Sequence, residues 1–170
     1  MAGPRERHPL FATLGHTTVA LVLLTIGYYL VPLRPPWTDA FDAARLAFAV
    51  LAMVVLGFFL RWATRRSRAR QSPEYYRIQL LLTTLYVLVL GFALLYAITD
   101  AADPASFAGM ETRTDSLYFS VTTMATVGFG DVHAAGTVAR VMVTVQMVFN
   151  LIYLGTALRV LTSRILPQGG

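Results

Sequence analysis

Thr126, Val127, Gly128, Phe129, Gly130 and Asp131 are the stretch of this sequence with the most specific chemical potential. Gly128 and Gly130 alternate with residues that carry side chains. That spacing suits a backbone that must enter φ > 0 repeatedly, so that successive carbonyl oxygens turn toward one axis. A ring of such oxygens can replace the water shell of a monovalent cation, and irregular backbone is tolerated at membrane depth only where it lines such a pathway. The Thr126 hydroxyl can add an innermost oxygen layer, while Val127 and Phe129 point away and pack behind the strand. Other chemistry has no comparable support. The chain has no cysteine, which excludes disulfides and thiolate metal sites. No phosphate loop, nucleophile dyad or pair of catalytic carboxylates is evident, so neither an enzyme nor a cofactor is expected. His8, His16 and His133 stand apart in sequence and do not suggest a metal site; His133, just after the glycine-rich stretch, could sense external pH.

Such a strand needs membrane-spanning elements around it. The 170 residues are 56% apolar, and the apolar residues are gathered into runs. Four runs lack acidic and basic residues: Leu14 to Leu33, Leu46 to Leu60, Ile78 to Thr99 and Val141 to Leu158. A span takes about 20 residues, so each run reads as a transmembrane helix, the second being completed by Arg45 and Arg61 snorkelling to the interfaces. The first run lacks a small-x-small cleavage site near its end and reads as a membrane helix, not a signal peptide. Between the third and fourth runs, Thr114 to Ala125 is too polar to span and too apolar for an ordinary loop. It predicts a short re-entrant helix, capped by Thr114 or Asp115, whose C-terminal partial negative charge faces the membrane centre.

Charge sets the topology. Arg61, Arg65, Arg66, Arg68, Arg70 and Arg77 stand against the single acid Glu74, which marks a cytoplasmic linker and places both termini inside. The outer segment from Asp100 to Ser116 carries Asp100, Asp103, Glu111 and Asp115 against Arg113, a sign that concentrates cations at an external mouth. The arginines crowd beyond the end of the second run instead of recurring every third position inside it, so a voltage sensor is not expected and opening should depend weakly on voltage. The stretch Arg61 to Arg70 could also bind anionic lipids. No nucleic-acid partner is expected.

The six residues Thr126-Val127-Gly128-Phe129-Gly130-Asp131, preceded by a re-entrant helix and flanked by two spans, resemble the signature of the potassium channel family. The resemblance covers residues 78–166 and implies a minimal pore module of outer helix, pore helix, filter and inner helix. It implies potassium as the permeant ion, and a homotetramer follows because one chain supplies only one wall of the oxygen ring. The family often carries Tyr at position 129, where a hydroxyl bonds pore-helix aromatics. Here Phe129 lacks it, and the pore-helix pair is Tyr118-Phe119 where several relatives have two tryptophans. The Tyr118 hydroxyl is therefore expected to bond Asp131 and anchor the outer filter. Thr122 stands where some relatives place a filter-bracing carboxylate, so Asp131 should lack that partner.

Asn150 occupies the place of a hinge glycine found in many relatives. It either faces a water-filled cavity or bonds a neighbouring helix such as the end of the pore helix, and the bond is the preferred reading. Gln146 and Tyr153 share its helical face, which suggests a polar seam between helices. Gly155 is the expected bending point, in a small-residue stretch Gly155-Thr156-Ala157 that also suits close helix crossing.

The expected fold is thus an all-α membrane protein with four transmembrane helices, a re-entrant pore helix and an extended filter loop, assembled as a homotetramer. Residues 1–13 form a cytoplasmic N-terminus, 14–62 a peripheral hairpin turned by Pro32, Pro35 and Pro36, 63–77 a basic linker, 78–166 the pore module and 167–170 a short tail. That tail leaves no room for an appended ligand-binding domain, and no opening stimulus is legible. The expected location is the cell's inner (plasma) membrane, and the expected function is passive, potassium-selective conduction. A weakly selective cation channel, or a non-conducting scaffold or regulatory subunit, is the alternative.

Overall fold

The computed structural model describes residues 9–31, 33 and 73–162. Helix α1 runs Pro9–Leu30, α2 Pro73–Ala102, α3 Arg113–Met124 and α4 Thr137–Thr162, with two short strands, β1 Phe107–Ala108 and β2 His133–Ala134. Both α1 and α2 open on proline, which suits the first helical position because its missing N–H would have no intrahelical acceptor there. Asp103 and Pro104 end α2, since the residue before a proline is pushed out of the helical region. The spans Tyr76–Ala102 and Thr137–Arg159 are long and apolar enough to cross a bilayer. At 1.5 Å per residue they reach about 40 and 35 Å, more than a hydrocarbon core of about 30 Å. The second expected span, residues 63–72 of the basic linker with the lipid site at Arg61 to Arg70, and the C-terminal tail lie outside the described residues, whereas residues 73–77, expected in that linker, are the start of α2.

Helix α3 is the short element expected between the spans, but its cap lies earlier than Thr114 or Asp115. Thr112 is the N-cap, and Asp115 is the third helical residue that returns the bond. The Thr112 side chain accepts from Asp115 N at 3.3 Å, while Asp115 Oδ2 accepts from Thr112 N at 2.7 Å, Thr112 Oγ1 at 2.9 Å and Glu111 N at 3.1 Å. This reciprocal box satisfies more orphan donors than either predicted cap would, which is why the cap lies two residues before Thr114. The hydrogen bonds from the Thr112 hydroxyl and backbone hold the Asp115 carboxyl below the usual carboxylate range. A depressed folded-state value means that its stabilisation is present above the unfolded value of about 4 and lost as pH falls through the lower folded one. Thermal denaturation of the purified protein followed from about pH 5 to about pH 3 should therefore show an acid-dependent loss that Asp115→Asn flattens. An unchanged pH profile would contradict this role for the box.

Two apolar clusters fix the helices. Phe92 and Tyr96 of α2, Phe107 and Met110 of the outer segment, Phe119 of α3, Val132, and Ala139 and Val143 of α4 form the first. At its centre the Tyr96, Phe107 and Phe119 rings meet with centroids 5.3 to 5.8 Å apart, within the range for favourable edge contacts. The second joins Leu24, Tyr28 and Val31 near the end of α1 to Leu90, Ala93 and Leu94 of α2. The first cluster sits directly behind α3. It therefore sets where the C-terminus of that helix delivers the chain.

Candidate functional site

Helix α3 hands the chain over through three backbone bonds: Ala125 N to Val121 O at 2.8 Å, Thr126 N to Thr123 O at 3.1 Å and Val127 N to Thr122 O at 3.0 Å. Beyond them the strand alternates. Thr126, Gly128 and Gly130 take φ of 57°, 59° and 84°. The glycines enter this region without a Cβ penalty, whereas a β-branched threonine there is an outlier that persists only where its surroundings over-determine it. At Thr126 the surroundings are the two flanking N–H groups tied back to the last turn of α3. The sequence pointed to the glycines; that the alternation starts at Thr126 had no compositional signal. Within one chain all of 126–130 is exposed, with Val127 at 54% and Phe129 at 68%. The Phe129 ring nevertheless lies nearly parallel to Tyr118, with centroids 6.2 Å apart.

The outer end of the strand is held from several sides. Tyr118 Oη donates to Asp131 Oδ2 at 2.9 Å, and His133 Nδ1 lies 3.2 Å from Gly130 O. Thr122, read as the substitute for a bracing carboxylate, is buried and bonds Phe119 O at 3.1 Å on its own helix. Strand β2 pairs antiparallel with β1, placing Phe107 opposite Ala134 and Ala108 opposite His133. Ser106 O accepts from both Ala135 N and Gly136 N at 2.9 Å. Gly109, with φ 76°, backs directly onto the strand: a Cβ built there would lie 2.2 Å from Asp131 O. Neither Gly109 nor Ser106 carried a signal in the sequence, because their role depends on contact with backbone more than twenty residues away.

Under the strand, α4 supplies a column of polar side chains. Gln146 is fully buried; its Nε2 donates to Ser120 O at 3.0 Å and lies 3.3 Å from Ser120 Oγ, while its Oε1 accepts from Tyr96 Oη. Ser120 Oγ in turn donates to Val89 O at 2.8 Å. Asn150, also buried, donates from Nδ2 to Thr123 O at 3.1 Å, and Tyr153 Oη donates to Leu81 O at 2.9 Å. In apolar surroundings an unpaired amide or hydroxyl costs several kcal/mol, so these bonds offset the burial of Gln146 and Tyr153, whereas at Asn150 only Nδ2 is paired and the buried Oδ1 has no partner among the described residues. Of the two readings of Asn150, the geometry is that of the bond to the end of α3. Gly155 lies within α4, which continues through it, and a Cβ there would meet nothing within 4 Å.

A capped half-length helix, a strand of alternating handedness at its C-terminus and two flanking spans are the parts of a re-entrant ion pathway. A family model described as "Ion channel" matches residues 81–166, half of the chain. The chain belongs to this ion-channel family. The match begins in α2 and includes α3, the strand and the described part of α4. This ion-channel chain is also 56% identical over 36 residues to "Potassium channel AKT2/3" of Arabidopsis thaliana, covering 21% of the chain and 4% of that relative. It is 53% identical over 38 residues to "Potassium channel AKT2" of Oryza sativa subsp. japonica, covering 22% of the chain and 4% of that relative. The chain therefore matches only a small part of the length of these relatives. No solved structure matches it significantly. Membership of this family identifies residues 81–166 as an ion-channel segment.

Proposed function

We propose that the protein is a potassium-selective channel conducting passively through a homotetrameric pore, with the carbonyl oxygens of Thr126, Val127, Gly128, Phe129 and Gly130 as the filter. The observation that carries this reading is the alternation of positive φ at 126, 128 and 130 directly after a half-length helix. Such alternation turns successive carbonyls to one side, and a ring of them can take the place of a potassium ion's hydration shell. The likeness to named potassium channels over the short matched stretch supports the choice of ion.

Association of four copies is supported by α4. Val138, Val141, Val145, Val148 and Ile152 recur every third or fourth residue and are 44 to 63% exposed, opposite the buried face of Val143, Gln146 and Asn150. A continuous apolar stripe at that spacing suits helix packing between subunits around a common axis. In this reading the chain has four transmembrane helices, both termini are cytoplasmic, and the membrane is the cell's inner (plasma) membrane.

Purified protein in liposomes with opposed potassium and sodium gradients should give a reversal potential close to that of potassium. Equal permeability would leave a weakly selective cation pathway, and absence of flux would leave a scaffold. Within the channel, Tyr118 and Asp131 are read as anchors of the outer filter. Tyr118→Phe should hasten the decline of potassium current when external potassium is low and reduce the heat resistance that potassium confers on the tetramer. If both stay at wild-type values, the hydrogen bond is packing without consequence for the filter.

A further inference from the structure

Helix α1 precedes the segment matched by the ion-channel family, yet it is bonded to the first turn of α3. Arg113 is the first residue of α3, where a cation faces the positive end of its own helix dipole. Its placement is explained by α1. Arg113 Nη1 donates to Tyr29 O at 2.7 Å and to Tyr28 O at 3.2 Å. These carbonyls belong to the last turn of α1, whose acceptors have no intrahelical donors and whose dipole end is negative. The contact is returned: Tyr28 Oη donates to Arg113 O at 2.6 Å, and Tyr29 Oη lies 3.3 Å from Thr114 Oγ1. Tyr28 is fully buried, and Leu117, one turn into α3, packs against the same cluster. Tyr118, which reaches Asp131, lies five residues into α3 from Arg113, about a turn and a half.

We infer that α1 positions the filter: Tyr28 and Arg113 form a reciprocal clamp that seats the outer end of the pore helix, and Tyr118 passes that seat on to Asp131. Neither clamp residue approaches the 126–130 strand, so both are positioning residues. The inference rests on the reading of 126–130 as a potassium filter. Its test therefore begins with the wild-type full chain in bilayers, where loss of potassium selectivity would overturn that reading and this inference together.

Given a selective wild type, the measurement is the decay of potassium current after external potassium is lowered, with the permeability ratio recorded alongside. Arg113→Gln should speed the decay about fivefold or more and Tyr28→Phe about two- to threefold, with the permeability ratio unchanged. The double variant should decay no faster than Arg113→Gln alone, because both changes open one clamp. Arg113→Lys should recover part of the effect, since an ammonium reaches a carbonyl but lacks the guanidinium fork. Should Arg113→Gln fail to assemble, Tyr28→Phe carries the test alone, because it removes one oxygen and keeps the buried ring. Wild-type decay in the variants that assemble, or reduced heat resistance without any kinetic change, would overturn the clamp while leaving the filter reading intact.

Discussion

Gly128→Ala is expected to abolish potassium flux while the protein still assembles. Gly128 takes φ 59°, and a Cβ there would meet nothing within 4 Å in its own chain. The effect is therefore conformational and not a clash within the subunit. An L-residue in the left-handed region costs about 1–2 kcal/mol. In the proposed tetramer, four subunits that must hold the conducting geometry together multiply this to roughly 4–8 kcal/mol, and each 1.4 kcal/mol is a tenfold change, so the conducting population should fall by about a thousandfold or more. Thr126 endures the same region because its own N–H and that of Val127 are tied to α3. Flux from liposomes measures the loss, and size-exclusion chromatography checks assembly. Flux at wild-type rates from an assembled Gly128→Ala protein would remove Gly128 from the pathway.

Gly109→Ala should act differently, by breaking the outer mouth itself. The added Cβ would sit 2.2 Å from Asp131 O and 3.2 Å from Asp131 C, and both are backbone atoms that cannot swing aside. The residue also has φ 76°, so strain and overlap add. Relief requires the segment before α3 to part from the chain after Gly130, which costs the Phe107–Ala134 and Ala108–His133 pairing and displaces the carboxylate that Tyr118 bonds. Strain at a positive-φ position and forced overlap are each worth about 1–3 kcal/mol, enough to lower the temperature at which the assembly falls apart in detergent. Gly91→Ala is the control, because a Cβ at Gly91 meets nothing within 4 Å. Equal heat resistance of Gly109→Ala and Gly91→Ala would show that the close approach imposes no constraint.

Much of this arrangement was legible because it is periodic or local. The third and fourth apolar runs lie within α2 and α4, the first lies largely within α1, and the polar segment between the last two is α3. Spacing of four and three placed Gln146, Asn150 and Tyr153 on one face, and α4 keeps them there with each side chain on a partner helix. The cap at Thr112 is spelled in the sequence as Thr112-Arg113-Thr114-Asp115, a threonine followed three residues later by an acid, but Thr114 and Asp115 are cap-forming residues too, and local propensity alone does not choose among the three. Gly109, Ser106 and the Arg113 clamp could not be read. Each depends on backbone from a distant element, and neither periodicity nor local propensity encodes which carbonyl will face a given residue. The handedness of Thr126 was equally hidden, since threonine disfavours that region and only the finished turn of α3 imposes it.

One amide of α4 has a further consequence. Through Gln146, with Ser120 and Tyr96, helices α4, α2 and α3 share a single buried junction, and Asn150 and Tyr153 extend it along α4. Between Gln146 and Tyr153, α4 is thus tied by side-chain bonds to two neighbouring helices. In the proposed pore, a displacement that spares these bonds would therefore leave α3 and the chain it delivers seated as they are.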